Sequence, residues 1–307
     1  MRQTKLKVFT WNILSEAFFT PDDYPTYDPM IFDGDRKELQ VLAKIEEMMS
    51  QGALIALQEV CDGIRSELVK LAVNAGYVIR DAAYGGTHSW NTGTALLWPQ
   101  EYELLHYEQV VVGEQINYFE EKPSRNLWQW LTWQSPSQTP LEYAKSRKNV
   151  LIVATLALKS DPSQKVTMSV YHVPCAIHMR EVMKYHVETV WDICHRVNDP
   201  PDASAVVPPL IICMDMNTTP TDPLYEYLPS KGMISAHEFE GREPDFTTNT
   251  QSKFNTEPFK ATIDYVWVSW GKIAEVKSRL PTKFTRLLPN DKFPSDHYWM
   301  EFDLTFK

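Results

Sequence analysis

Residues able to bind a hard metal ion and to handle a phosphate fall in five short clusters: Trp11-Asn12, Gln58-Glu59, His172, Asp215-Met216-Asn217 and Ser295-Asp296-His297. Asp264, in Thr262-Ile263-Asp264-Tyr265-Val266-Trp267, is a sixth member of the set. Cleaving a phosphate ester requires a metal ion to neutralise oxyanion charge, a base or orienter for the attacking water, and a donor for the charge that develops. These residue types supply all three. Glu59 offers a hard oxygen ligand. The absence of any Cys/His spacing suited to zinc points to Mg²⁺ or Mn²⁺, as one or two ions that keep several waters and bind through one or two carboxylates. Asp215 and Asn217 are two residues apart and share a face of an extended segment, so a carboxylate base can work beside an amide that steers water or phosphate. Asp264 can fix the tautomer of His297 and keep its ring cationic against the phosphate. Asp296 adds a carboxylate for a second metal or a water, and His172 a donor for a non-bridging oxygen.

Each cluster ends an apolar run that reads as a β-strand, and rigid strands can bring polar loop residues together from distant sequence positions. The run from Lys5 to Thr10 reaches Trp11-Asn12. Asp35 with Glu38 resembles a capping box, followed by Leu39, Leu42, Ile45 and Met49 at helical spacing until Gly52. A short strand, Ala53 to Leu57, then delivers Gln58-Glu59. Ile64, Leu68, Leu71 and Ala75 predict a second helix closed by Gly76. Further strands are expected near Tyr77 to Arg80, Thr92 to Trp98 and Leu104 to Val112, then a polar-aromatic insertion from about Gly113 to Tyr143. A hairpin over Val150 to Leu158 and Val166 to Tyr171 leads to His172. A helix with Met179, Val182, Met183, His186, Val190 and Ile193 on one face precedes the strand that carries Asp215. With no repeat, low-complexity tract or composition break, one α/β domain over 1–307 is the economical reading.

Composition narrows the class. The chain of 307 residues is 43% apolar and 12% aromatic, enough for a sizeable core. Its net charge of −10 argues against a broad basic face for duplex nucleic acid. Basic rims remain at Lys145-Ser146-Arg147-Lys148 and at Lys277, Arg279, Lys283 and Arg286, each equally readable as solvated loop charge. No apolar stretch approaches the roughly 20 residues of a membrane helix, and the N-terminus shows no secretory signal. The four cysteines lack CxxC pairing and read as reduced thiols, with a reactive Cys175 beside the site as the alternative. An intracellular, cytoplasmic location is expected, with no membrane and no obligate protein partner.

The motifs Phe9-Thr10-Trp11-Asn12, Leu57-Gln58-Glu59-Val60, Asp215-Met216-Asn217, Ile263-Asp264-Tyr265 and Ser295-Asp296-His297 resemble, in order, those of the endonuclease/exonuclease/phosphatase superfamily. Asp215-Met216-Asn217-Thr218-Thr219-Pro220, the stretch Pro258 to Tyr265, and Leu288-Pro289-Asn290 before Pro294-Ser295-Asp296-His297 resemble its deadenylase branch, which includes nocturnin and the Angel proteins. The resemblance implies a four-layer α/β/β/α sandwich with two mixed β-sheets and Mg²⁺ dependence. It implies a 3′-to-5′ exoribonuclease or deadenylase acting on single-stranded RNA or an adenine-containing phosphoester. It makes Glu59 a metal ligand and Asn12 an assistant at metal and phosphate. Asp215 and Asn217 then activate water, and His172 and His297 contact the scissile phosphate, with Asp264 supporting His297. Phe259 falls where that branch sets an aromatic against adenine, worth about 1–3 kcal/mol per stacked base.

Three departures stand out. Met214 replaces the usual glycine before Asp215, His172-Val173-Pro174-Cys175 lacks the pattern that supplies a second adenine contact, and no leucine-rich repeat precedes the domain. Competing readings are a phosphatase or phosphodiesterase for a small nucleotide, 2′,5′-oligoadenylate or inositol phosphate, a DNA repair nuclease, and an inactive binding module. The last predicts loss of Glu59, Asp215 or His297, all of which are present. Singly, each residue has a plainer role: turn-forming Asn, surface Glu, helix-capping Ser-Asp. An aromatic such as Phe259 is more often core than base platform. Trp128, Trp130 and Trp133 read as pins for the insertion or as a nucleobase platform, and His186, His88, His178 and His195 as structural or surface residues.

Overall fold

The computed structural model describes residues 3–84, 92–117, 138–199, 206–253, 257–279 and 286–307. Two six-stranded sheets dominate. The first runs in the order β13-β14-β1-β2-β4-β3 and the second β5-β6-β7-β8-β12-β9. The strands of the first are β1 (Thr4–Asn12), β2 (Leu54–Gln58), β3 (Tyr77–Ala83), β4 (Gly93–Pro99), β13 (Ile273–Arg279) and β14 (Met300–Phe306). Those of the second are β5 (Tyr102–Val111), β6 (Val150–Leu158), β7 (Asp161–His172), β8 (Leu210–Asp215), β9 (Met233–Ser235) and β12 (Asp264–Ser269). A small ribbon, β10 (Thr248–Thr250) with β11 (Phe259–Ala261), lies outside both.

Each sheet is antiparallel except for one parallel pair, β1 with β2 and β7 with β8. A parallel pair needs a long crossover, and each has a helix in it: α1 (Gly34–Ser50) in the first and, beyond α2 (Asp62–Asn74) and α3 (Pro140–Ser146), the long α4 (Arg180–Asn198) in the second. The period-2 alternation of the strands sorts their side chains into layers. Val8, Leu54, Ala56 and Leu304 join Ile152, Met168, Ile211 and Val266 in one cluster between the sheets. Phe9, Trp11, Ile55 and Leu57 turn the other way onto Val41, Ile45, Ile64 and Leu68 of α1 and α2. Val153, Tyr171, Ile212 and Trp267 pack on Val182, Met183, Val187 and Val190 of α4. The result is the α/β/β/α sandwich, with each fully buried large aliphatic side chain contributing about 1.5–3 kcal/mol.

One detail of the sequence reading needs correcting. The cap of α1 is Asp33, whose carboxylate accepts from the Arg36 amide at 3.1 Å; Asp35 sits inside the first turn. Asp33 is extended, as a cap must be, and is three residues from the amide it takes. Trp128, Trp130, Trp133, His88, Lys283 and the loop 200–204 lie outside the described residues, as does most of the insertion.

Candidate active site

The site forms where chain polarity brings strand ends together. A parallel strand ends at the edge where an antiparallel neighbour begins, so loops leaving one and entering the other share that edge. Asn12 pairs with Gln58 at the end of β1 and β2, and His172 with Asp215 at the end of β7 and β8. Asp264 opens β12 directly opposite Asp215, and His297 lies just before β14. Asn12 then bridges the sheets: its Nδ2 donates to Glu59 Oε1 at 3.0 Å and to Asp215 Oδ2 at 2.9 Å.

Backbone geometry at these ends is unusual. Glu59 (φ 60°), Asn217 (φ 50°) and Leu14 (φ 55°) all occupy the left-handed region, which costs a non-glycine residue roughly 1–2 kcal/mol. Local contacts hold them there. Glu59 Oε2 accepts from the Ser15 amide at 2.8 Å, Leu14 N donates to Asn12 Oδ1 at 3.0 Å, and Asn217 N donates to Asp215 Oδ1 at 3.0 Å. The ammonium of Lys37, buried in α1, donates to the Leu14 carbonyl. Gly93 O accepts from the Val60 amide at 3.0 Å, and only glycine fits at 93, because a Cβ would stand 1.9 Å from Ala82 O.

Asp215 is the hub, 1% exposed. Its Oδ2 lies 3.5 Å from His172 Nε2 and 3.9 Å from His297 Nε2. Asn217 Nδ2 donates to Val173 O at 2.9 Å, which fixes the amide, and reaches His172 Nε2 at 3.1 Å. His172 Nδ1 is buried with no partner among the described residues, and Nε2 is the ring nitrogen that faces Asn217 and Asp215.

His297 is held differently. Its Nδ1 lies 2.8 Å from Asp264 Oδ2, and Asp264 in turn accepts from Thr247 Oγ1 at 2.5 Å. Burial alone would lower the imidazole pKa, yet Asp264, Asp296 and Asp215 together raise it well above its ordinary value. These three carboxylates favour the cationic ring. Its Nε2 points between Asp215 and Asp296, 3.9 Å from each, too far for a hydrogen bond and free to meet a third group. Trp11 and Ser295 position this segment: Trp11 Nε1 donates to His297 O at 2.9 Å, and Ser295 Oγ donates to Asn12 O at 2.6 Å.

Asp215, Asp264 and His297 offer ligand atoms all within 4.8 Å of one another. Because Asp264 and His297 already satisfy each other, the oxygens open to a divalent ion are those of Glu59 and Asp296. The carboxyl of Asp296 is pushed up by burial and by Glu59, its Oδ2 accepts from Tyr24 OH at 3.2 Å, and its Oδ1 is buried without a hydrogen bond. A buried carboxylate oxygen with no partner beside a second carboxylate fits a hard cation.

Glu59, His172, Asp215, Asn217, Asp296 and His297 line an open cavity of about 880 Å³. The sequence reading missed several of its walls, including Tyr24, Tyr84, Tyr143 and Asn149. It also missed Thr247, and none of these residues has spacing that marks it. Arg147 and Lys148, noted as a basic rim, do line the cavity. Phe259 does not: it is 41% exposed on β11, outside the lining. Cys175 lines the wall, but burial and Asp215 raise its pKa and keep the thiol neutral. All four cysteines are free. His186 is buried and structural, within 2.6 Å of Tyr171 OH and 3.0 Å of Ala144 O.

No protein-family model matches the chain. The fold is the one found in solved proteins of the endonuclease/exonuclease/phosphatase family, among them one from Bacteroides thetaiotaomicron. ANGEL2, described as a 2′,3′-cyclic phosphatase and solved with adenosine-2′,3′-vanadate, superposes with a TM-score of 0.71 at 16% identity, covering 99% of this chain and 96% of that one. The human nocturnin catalytic domain with bound sulfate gives 0.65 at 18%, covering 100% and 97%. In sequence, the CCR4-Not complex 3′-5′-exoribonuclease subunit Ccr4 of Candida glabrata is 32% identical over 115 residues, 29% of this chain and 13% of that protein. The matched segment thus spans a small part of that relative. Among the described residues no helix is long and apolar enough to cross a membrane.

Proposed function

We propose that the protein is a divalent-metal-dependent phosphodiesterase that removes nucleotides from the 3′ end of single-stranded RNA by water attack at phosphorus, working as one catalytic domain. The observation that carries this reading is Asp215, a buried carboxylate steadied by Asn12 and Asn217 with two imidazoles around it. Asp215 orients the attacking water and takes its proton, and Asn217 holds Asp215. The cationic His297 donates from Nε2 to a phosphate oxygen, and Asp264 keeps it charged and aimed. His172 reaches the same phosphate on its other side. Glu59 and Asp296, with Asn12 assisting by steadying Glu59, would hold one or two Mg²⁺ or Mn²⁺ ions, which would supply neutralisation of the phosphate charge.

A smaller substrate is the second reading. Phe259 lies outside the cavity, and His172-Val173-Pro174-Cys175 offers no second adenine contact. Both favour a nucleotide or a 2′,5′-linked or cyclic phosphoester over poly(A), in line with the phosphatase named among the similar structures. A cytoplasmic setting belongs to the same proposal, supported by four free thiols.

The test is a substrate panel with Mg²⁺ or Mn²⁺: 5′-labelled oligo(A), mixed-sequence RNA, single-stranded DNA, 2′,5′-linked adenylates and a nucleoside 2′,3′-cyclic phosphate. Stepwise shortening of RNA from its 3′ end is expected, and Asp215→Ala, Glu59→Ala and His297→Ala each lower turnover by about 10²-fold or more. Wild-type rates in any of these variants, or no cleavage of any substrate with either ion, would sink the mechanism.

A further inference from the structure

Arg147 has no role in the chemistry above, yet among the described residues it is the cation in the cavity wall with no counter-charge. Among the same residues its guanidinium meets Tyr143: Nη1 lies 3.4 Å from the phenolic oxygen and the group sits 5.5 Å from the ring centre. Its Nε is buried with no acceptor among the described residues. Lys148 beside it is paired with Glu114 at 2.7 Å. A half-buried guanidinium without a carboxylate is costly unless an anion meets it, and its planar fork suits a phosphate held through two bonds.

Its place in the sheet is informative. Arg147 lies three residues before β6, in the turn between the helix Pro140–Ser146 and that strand, and the sheet runs β6-β7-β8-β12. That turn enters β6 at the edge where β7 ends with His172, which pairs with Asp215, itself opposite Asp264. Asn149, two residues on, donates to the His172 carbonyl at 2.9 Å and ties the Arg147 turn to that edge. Strands lie about 4.8 Å apart, so the start of β6 stands about 10 Å from the Asp215 strand, with a long side chain able to cover part of the gap. Beside it the Tyr84 hydroxyl is buried against Asn149 without a well-formed hydrogen bond and is subject to the charges of Glu59, Asp215 and Arg147. Burial keeps it a neutral donor.

On the reading that phosphate is cleaved at Asp215, we propose that Arg147 builds an anion subsite, with Tyr84 as second donor, that takes the next phosphate of the substrate. The occupant is a phosphate monoester or diester one nucleotide from the scissile bond, in an RNA strand or in a small bisphosphate.

Two measurements test it. In steady-state kinetics with Mg²⁺, Arg147→Met raises KM for ApApA, which carries a second phosphodiester, about tenfold more than KM for ApA, as loss of a charge-assisted pair predicts. Arg147→Lys, which keeps charge without the fork, falls between. In calorimetric titration, Arg147→Met weakens adenosine 3′,5′-bisphosphate about tenfold more than AMP, which shows the small-molecule source of the same phosphate. Equal loss on the one-phosphate and two-phosphate ligands, or no loss on either, overturns the subsite. If the wild type cleaves neither oligomer, the hydrolase reading fails, while the titration still decides on Arg147.

Discussion

Individual side chains at this site are constrained by what they leave unpaired. Thr247 shows this. Its hydroxyl donates to Asp264 and accepts from the amides of Ile263 at 3.0 Å and Asp264 at 3.2 Å. Thr247→Val keeps the shape and strands three polar groups. Urea unfolding is expected to show a loss of about 1–3 kcal/mol, with turnover reduced less than in Asp264→Asn. That second variant deprives His297 of the carboxylate that keeps it charged and is expected to cut turnover by about 10²-fold; near-normal turnover would contradict a cationic His297. Asn12, Glu59, His172 and Asp215 were readable from sequence as polar breaks at or just past the end of an apolar strand, whereas Asp264 opens β12 and the segment Ser295-Asp296-His297, expected to end a strand, instead precedes β14. Thr247 and Tyr24 were not readable. They act through contacts such as Tyr24 with Asp296, separated by 272 positions, and no period or motif announces a partner that distant.

At the scale of elements, the β-strand ends, the two long crossover helices and the hairpin of β6 with β7 were legible, because the hydrophobic period switches cleanly between 2 and 3.6. The position of Phe259 was not. Its placement depends on how the β10–β11 ribbon pairs, Thr250 against Phe259, and ribbon register is invisible in a segment three residues long. The cap of α1 was misjudged by two residues because Asp33 and Asp35 are both good caps on composition alone. The link from α1 to the site, Lys37 onto the Leu14 carbonyl, leads to a separate expectation. Lys37→Met removes a buried ammonium whose pKa burial lowers, and that relief offsets the lost hydrogen bond. The denaturation midpoint should hardly move, while turnover falls about tenfold as Leu14 and Asn12 loosen. Unchanged turnover would show that the loop is held without Lys37.

The whole molecule carries an acid-sensitive core. His186 and His237 lie in separate clusters, and burial lowers both pKa values to about 4. An unfolded histidine titrates near 6.5, so the folded state is the one that resists protonation. Stability is fully present above about pH 6.5 and is lost as pH falls towards 4. The loss should be on the order of 2 kcal/mol per histidine between pH 7 and pH 5. Urea titrations at the two pH values check this, and His186→Gln should flatten the slope by about half; an unaltered slope would exclude His186 as a source. Finally, β1 lies between β2 and β14, and Asn12 is stitched to Ser295 across 283 residues. During synthesis the first strand leaves the ribosome long before its neighbour exists, and Asn12, Glu59 and Asp215 wait for the segment that brings His297. The cluster of Asn12, Asp215 and His297 is thus completed only once residues 295–297 have emerged.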